Sequence, residues 1–172
     1  GKKSRPFRIG REAYIPAAWK TLNFFFSERC GFDVPGSHTE CHMDVMSVHP
    51  DGRRLPVCGG WHDAGDLTQA AINTAESVFA MLELAIAERE AQPELSQRAK
   101  EEARWGLNWL MRTRWGDGYR HNGTVIGFWS DNIQGTLDDI NADSGNRPFD
   151  NFMIAGVCAK AIALFRDDDP RF

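Results

Sequence analysis

The stretch Gly59–Asp66, GGWHDAGD, places two aspartates three residues apart, behind a pair of glycines and a Trp-His dipeptide. From Leu67 to Ala91, apolar residues recur every three to four positions, which predicts one long helix. In that interpretation Asp63 is the N-cap and Asp66 lies in the first turn, where free N–H groups and the helix dipole stabilise negative charge. The same position suits catalysis, because an aspartate kept ionised at a helix start can accept a proton from water.

Three further segments show the helical period of apolar residues. They are residues 16–29, which begin with Pro16, residues 97–115, which follow a candidate cap at Ser96, and residues 152–165, which follow a candidate cap at Asp150 or Asn151. The last segment is apolar on nearly every side, so we expect an inner helix there.

Strand patterns are weak throughout, and TVIGFW at residues 124–129 is the only short candidate. The predicted fold class is therefore all-α, with four helices and two long loops, residues 31–66 and 115–149. Loops of that length in a compact domain usually carry function, so we look for the site in these two segments.

The composition of the chain limits the kinds of molecule that we expect it to bind. The chain has 172 residues, and its 20 Lys and Arg against 24 Asp and Glu give a net charge of -4. No basic run suits a phosphate backbone, no apolar run approaches the ~20 residues of a membrane span, and residues 1–10 have no signal-peptide core. We therefore expect one soluble domain that binds neither nucleic acid nor membrane.

The first loop and the residue before it contain four side chains that are suited to bind a borderline-soft cation. Cys30 is followed after ten residues by Cys41 and His42, and nineteen more residues lead to His62. Two thiolates and two imidazoles are a usual composition of structural zinc, although this spacing is not that of a zinc finger. A Cys30–Cys41 disulfide and unlinked core cysteines are the alternatives. A zinc held by His62 would also fix the backbone beside Asp63, with no open coordination position for a substrate.

The second loop is rich in acidic residues. Asp139, Asn141 and Asp143 alternate, and Asp150 follows eleven residues after the first, which weakly matches a calcium loop. The glycine comes one position late and a proline interrupts the pattern, so a solvated acidic turn is the favoured interpretation. Calcium is only a weak expectation.

Two tryptophans are candidates for contact with a sugar. Trp61 lies inside the GGWHDAGD stretch, and Trp129 lies in the second loop beside Phe128. The flat apolar face of an aromatic ring can stack on the apolar face of a carbohydrate. For Trp129 an ordinary packing role is the alternative.

GGWHDAGD resembles the signature of glycoside hydrolase family nine, the inverting cellulases, and the likeness extends over nearly the whole chain. FFFSERCGFDVPGS with CHMD is similar to the leading segment of that family, EARWGLNWLMRT to a following helix, and NFMIAGVCAKAIALF to a later alanine-rich helix. The resemblance implies a partial (α/α)6 toroid containing about the first four helices. It divides the chain into a linker or leading segment, residues 1–15, and the N-terminal part of a catalytic domain, residues 16–172.

The resemblance also assigns roles to residues. Asp66 corresponds to the catalytic base and Asp63 to the aspartate that helps hold the nucleophilic water, while the family's structural zinc ligands correspond to Cys30, Cys41, His42 and His62. An inverting glycosidase also needs a protonated carboxyl group ~6.5–9.5 Å from the base. In this family that glutamate lies downstream of the present chain, so we expect this piece alone to be inactive.

The expected reaction is hydrolysis of β-1,4-glucan or a related β-glycoside with inversion. The expected partners are the glucan or oligosaccharide substrate, the remainder of the catalytic domain and an N-terminal immunoglobulin-like domain, and the expected location is secreted or periplasmic. Two alternatives stay open. One is a non-catalytic helical scaffold or carbohydrate-binding relative, and the other is an enzyme acting on an amino-sugar oligosaccharide or xyloglucan.

Overall fold

The computed structural model describes residues 3–63, 66–167 and 169–171. Ala64 and Gly65, in the middle of the Asp-Ala-Gly-Asp motif, lie outside the described residues. The helices are α1 (Ile15–Ser27), α2 (Ala71–Ala87), α3 (Pro93–Arg112) and α4 (Pro148–Phe165), preceded by a single 3-10 turn at Arg11–Ala13. The strands are β1 (Met46–Val48), β2 (Arg54–Pro56), β3 (Gln69–Ala70), β4 (Arg120–His121), β5 (Gly123–Thr124) and β6 (Asn141–Gly145).

The main core lies where α2 packs against α3. The apolar stripe predicted for α2 is confirmed, since Ala71, Ala75, Val78, Leu82 and Ala85 are all fully buried. The stripe of α3 is likewise buried at Ala99, Ala103, Leu107 and Leu110. α4 also packs against α2, and α1 packs against α3. These helices form a frame for the two long loops.

The start of α2 differs from the prediction. The helix begins at Ala71 because the two preceding residues, Gln69 and Ala70, are extended and pair antiparallel with Gly123–Thr124. Ala70 is therefore the N-cap residue, and no side chain caps the helix. The prediction that Asp63 caps this helix is wrong, as is the placement of Asp66 in its first turn.

The starts of the last two helices also differ. α3 begins with Pro93, three residues before the candidate cap Ser96, whose hydroxyl instead donates to the carbonyl of Ala85 at 2.6 Å. That bond ties α3 to the end of α2. α4 begins at Pro148, so Asp150 lies within the first turn rather than before it. In both helices a proline with its fixed φ supplies the first turn.

α4 is not the inner helix that its composition predicts. Only one stripe is buried in the described structure, namely Asp150, Ile154, Val157, Ala161 and Phe165, whereas Phe149 is 70% and Phe152 78% exposed. It is also the one described helix long and apolar enough to cross a membrane, with a mean hydropathy of 1.3 over 18 residues. Single core helices of soluble proteins often have this property, so it carries little weight alone.

The all-α prediction is wrong in part, because the two long loops together form a small sheet. Its strand order is β2-β1-β6-β4, with β1 parallel to β6 and the other neighbours antiparallel. β1 and β2 come from the first loop, and β6 and β4 come from the second. Of the candidate strand at residues 124–129, only Thr124 is in a strand. The sheet joins two segments that lie far apart in the sequence.

Candidate metal centre and acidic site

Cys30, Cys41, His42 and His62 come together in the interior of the protein. Their four candidate ligand atoms all lie within 4.8 Å of one another, and none of the residues is more than 3% exposed. Cys30 Sγ lies 3.5 Å from His42 Nδ1, Cys41 Sγ lies 3.7 Å from His62 Nε2, and these two nitrogens are 3.3 Å apart. We call these four residues the Cys/His cluster.

The spacing within the Cys/His cluster fits a tetrahedral metal site. Zinc bonds of about 2.3 Å to sulfur and about 2.0 Å to nitrogen would hold a sulfur and a nitrogen about 3.5 Å apart, and two nitrogens about 3.3 Å apart. The observed separations agree closely with those values. All four cysteines are free, so the alternative of a Cys30–Cys41 disulfide is not formed. The donor set fits a closed four-coordinate site.

Backbone pairing explains how Cys30 and His62 meet. Arg29 and Trp61 form an isolated antiparallel bridge, in which the N–H of Cys30 donates to Gly60 O at 3.1 Å and that of His62 donates to Glu28 O at 2.9 Å. Gly60 has φ +66, and a Cβ there would lie 2.9 Å from Cδ2 of Trp109. Only glycine satisfies both requirements at this position.

Hydrogen bonds orient the His42 ring within the cluster. Its Nε2 lies 3.1 Å from the carbonyl oxygen of Phe128, which can only accept, so Nε2 carries the proton and Nδ1 faces the cluster with a free lone pair. The ring of Trp129 stacks on His42 with centroids 5.6 Å apart and an interplanar angle of 11°. Trp129 is 54% exposed, so it covers the cluster while leaving part of its own surface free.

The two thiols of the cluster differ in acidity. The hydrogen bond from Cys30 is the main influence that lowers the pKa of Cys41 to about 2, and His42 and His62 act in the same direction. The same contact, together with burial, raises the pKa of Cys30 well above its usual range. Cys41 is therefore the more acidic of the two thiols, and thiolate is the form that binds a metal.

Glu102 is a buried residue that the sequence analysis missed. Its carboxylate accepts hydrogen bonds from Trp61 Nε1 at 2.8 Å, from Arg29 at 3.0 and 2.8 Å, and from Arg98 at 2.7 Å. Glu102 lies on α3 between Ala99 and Ala103, within the apolar stripe. A charged residue at a position predicted to be buried is the sequence signal that could have identified it. The network fixes the segment that contains His62 and Asp63.

The expected stacking role of Trp61 is corrected by its burial. The residue is 4% exposed, and its ring packs edge-on against Phe25 with centroids 5.1 Å apart. Its indole N–H is already bound to Glu102. Trp61 is therefore almost entirely covered by the protein and acts mainly as a packing residue.

Asp63 and Asp66 are both exposed at the surface beside the Cys/His cluster. The N–H of Asp63 donates to Thr68 O at 2.8 Å, and that of Thr68 donates to Asp66 Oδ1 at 3.3 Å, so Thr68 contacts both aspartates. Asp63 also borders a pocket of about 200 Å³ with Asn73 and Ser77. The two carboxyl groups face accessible space.

The electrostatics of Asp63 also differ from the expectation of a helix start. Partial burial raises the pKa of Asp63, and the like charge and hydrogen bond of Asp66 raise it further. There is no helix end at this position to oppose the shift, since α2 begins at Ala71. The two groups therefore form an interacting acidic pair.

The residues of the weakly expected calcium loop do not meet. Asn141 and Asp143 lie in strand β6, and Asp139 accepts from the N–H of Gly135 at 2.9 Å. Asp150 is buried in α4 and accepts from the side-chain amide of Asn122. The extended pairing of β6 separates these positions, so that expectation is wrong as a ligand set.

A family model described as glycosyl hydrolase family 9 matches residues 14–168, which include the Cys/His cluster and both aspartates. The chain belongs to glycosyl hydrolase family 9. This confirms the resemblance found in the sequence. It also places the acidic pair and the Cys/His cluster inside the matched region.

Individual relatives agree with the family assignment. Endoglucanase C of Cellulomonas fimi is 29% identical over 150 residues, covering 64% of this chain and 14% of that protein. A metagenome-derived glycoside hydrolase family 9 endoglucanase has a TM-score of 0.71 at 26% identity, covering 91% of this chain and 33% of that one. A Zn-binding triple mutant of a family 9 endoglucanase has a TM-score of 0.62 at 26% identity, covering 95% and 36%. The chain thus spans about a third of these solved structures.

Proposed function

We propose that this chain supplies the base side of the active site of an enzyme that hydrolyses β-1,4-glucan or a related β-glycoside with inversion. The observation that carries the proposal is the exposed, interacting pair Asp63 and Asp66, which lies within the family 9 match. The similarity to endoglucanases favours a cellulose-type substrate.

In the proposed reaction both carboxylates accept hydrogen bonds from one water molecule. Asp63 holds the water, and Asp66 takes its proton as the oxygen attacks the anomeric carbon from the face opposite the leaving group. A second, protonated carboxyl group must donate to the leaving oxygen across ~6.5–9.5 Å. Because the chain spans about a third of its solved relatives, we assign that acid to the remainder of the catalytic domain.

We further propose that the Cys/His cluster binds a structural zinc ion through Cys30, Cys41, His42 and His62. Zinc would supply a cross-link between the segment 28–30 and the segment 60–63, with all four positions taken by protein ligands. The donor spacing supports this, as does the existence of a Zn-binding variant of a similar family 9 endoglucanase. The role of the cluster is to hold the backbone next to Asp63.

The remaining parts of the proposal follow from the family. Trp129 is half exposed beside this site and is the candidate for stacking on a sugar ring. The exposed apolar side chains of α4, including Phe149 and Phe152, support a place for this chain in a larger helical toroid. By the same family resemblance, we propose an N-terminal immunoglobulin-like domain as a partner. We also propose a secreted or periplasmic location, because polysaccharide substrates lie outside the cytoplasm.

The proposed base is tested by Asp66→Asn in the complete protein that contains this chain, assayed on soluble β-glucans. Loss of general-base catalysis should lower kcat by about 10²–10⁴-fold. The matched control is Asp143→Asn, an exposed aspartate of β6, which should leave kcat unchanged. Activity of Asp66→Asn within a few-fold of the unmodified enzyme would refute the assignment.

A further inference from the structure

A second group of metal-ligating side chains lies outside the Cys/His cluster. Asp44, Asp131 and Asp138 each offer a carboxylate oxygen, and these three oxygens lie within 4.8 Å of one another. Asp44 follows the Cys41–His42 pair, and the other two residues come from the second long loop. The set is therefore assembled by the fold and does not appear as a sequence motif.

Asp44 shows that this group is more than an acidic patch on the surface. The residue is 0% exposed, its Oδ1 accepts a hydrogen bond from the hydroxyl of Ser130, and its buried Oδ2 has no hydrogen-bond partner. Among the described residues, Asp44 forms no ion pair with a Lys or Arg. A buried carboxylate without a counter-charge is costly, and two neighbouring carboxylates add repulsion. A bound cation would relieve both effects.

The two loop aspartates are held in place by protein contacts alone. The N–H of Asp131 donates to Asp138 Oδ2 at 2.7 Å, and Thr136 Oγ1 donates to Asp138 Oδ1 at 2.7 Å. Asn132 fastens the loop to the first segment, because it accepts from the N–H of Met43 at 3.1 Å and donates to Glu40 O at 3.2 Å. The acidic side chains therefore meet at Asp44 before any ion binds.

We propose that Asp44, Asp131 and Asp138 form a binding site for Ca²⁺. Hard oxygen ligands exclude zinc as the preferred ion, and calcium–oxygen bonds of 2.3–2.6 Å allow ligand oxygens up to about 5 Å apart. Mg²⁺ requires near-ideal octahedral geometry and is seldom held by a dedicated set of protein carboxylates. Calcium therefore fits three protein carboxylates on an irregular loop better.

A calcium ion at this position would have a structural role. The loop residues preceding Asp131 include Phe128, whose carbonyl oxygen contacts His42, and Trp129, which stacks on that ring. A calcium ion joining Asp131 and Asp138 to Asp44 would fasten this loop over the Cys/His cluster. Binding of Ca²⁺ should therefore order Trp129 without adding a ligand to the cluster itself.

The test is calorimetric titration with CaCl₂ of the calcium-depleted complete protein that contains this chain, with zinc content measured before and after. We expect one Ca²⁺ per chain, and affinity at least about tenfold lower for Asp44→Asn and Asp138→Asn because each removes a charged ligand. Asp143→Asn, an acid of the same loop outside the set, should bind as the unmodified protein does. Thermal unfolding should follow the same order, with a Ca²⁺-dependent rise that both variants lose.

Several results would overturn the proposal. They are no binding at about 10 mM Ca²⁺, equal affinity for Mg²⁺, and unchanged Ca²⁺ affinity in Asp138→Asn. Asp138 lies in a partly exposed loop, so its variant stays informative even if the buried Asp44→Asn variant fails to fold. An unchanged circular dichroism spectrum and zinc ratio in Asp138→Asn verify that the fold is intact.

Discussion

Asp63 and Asp66 interact with each other ahead of α2, which begins only at Ala71. Partial burial is the larger cause of the raised pKa of Asp63, and Asp66 adds a like charge and a hydrogen bond. The folded state therefore binds the Asp63 proton more tightly than the unfolded chain does. Its contribution to stability is lost as the pH rises from the unfolded pKa, about 3.8, through the raised folded pKa.

This coupling predicts a measurable change in Asp66→Asn. The pKa of Asp63 should fall in that variant because the like charge is gone, yet it should stay above 3.8 because burial is unchanged. A carboxyl-carbon NMR titration of Asp63 in both proteins gives the two values directly. An identical pKa in the variant would show that the two carboxyl groups do not interact.

The helices show how much of this fold can be predicted from local patterns. The apolar stripes of α2 and α3 were predicted correctly, since a period of three to four residues depends only on neighbours along the helix. The start of α2 was not, because Gln69 and Ala70 pair with a strand more than fifty positions downstream. Asp63 and Asp66 were predicted to lie at the start of this helix, but neither residue caps it.

The strands were missed for a related reason. β1, β2 and β6 have three to five residues each, too short for a clear alternation, and only their mutual pairing defines them. Residue types and family resemblance predicted the Cys/His cluster, which the fold then brought together. The set Asp44, Asp131 and Asp138 could not be predicted, because its members meet only when the two loops pack on each other.

Trp61 of the GGWHDAGD segment packs closely against α3 at Gly106. A Cβ at Gly106 would overlap the ring of Trp61 and a methyl group of Val78. Gly106→Ala should therefore destabilise the protein by about 1–3 kcal/mol in urea unfolding, because overpacking outweighs the gain in helix propensity.

Gly156→Ala is the matched control for this prediction. Gly156 lies within α4, and a Cβ there would meet no atom within 4 Å. The substitution should leave stability unchanged or raise it by up to about 1 kcal/mol through helix propensity. Equal effects of the two substitutions would mean that Trp61 does not pack tightly on α3.

In the whole molecule the helices form the frame, and the two long loops contain most of the candidate site residues. The sheet formed by β1 and β6 joins these loops, and Phe128 and Trp129 of the second loop contact the His42 of the first. The Cys/His cluster lies where the first loop leaves α1 and returns at His62. The proposed zinc would therefore join both loops next to Asp63.

X-ray absorption at the zinc edge, on protein purified without chelators, shows whether the Cys/His cluster holds a structural zinc ion. We expect one zinc per chain with two sulfur ligands at about 2.3 Å and two nitrogen ligands at about 2.0 Å. Cys158→Ser, a cysteine on α4 away from the cluster, should give the same spectrum, whereas Cys41→Ser should lose a sulfur ligand or the metal. Protein that contains no zinc, or zinc bound only by oxygen and nitrogen, would refute a structural zinc site at the Cys/His cluster.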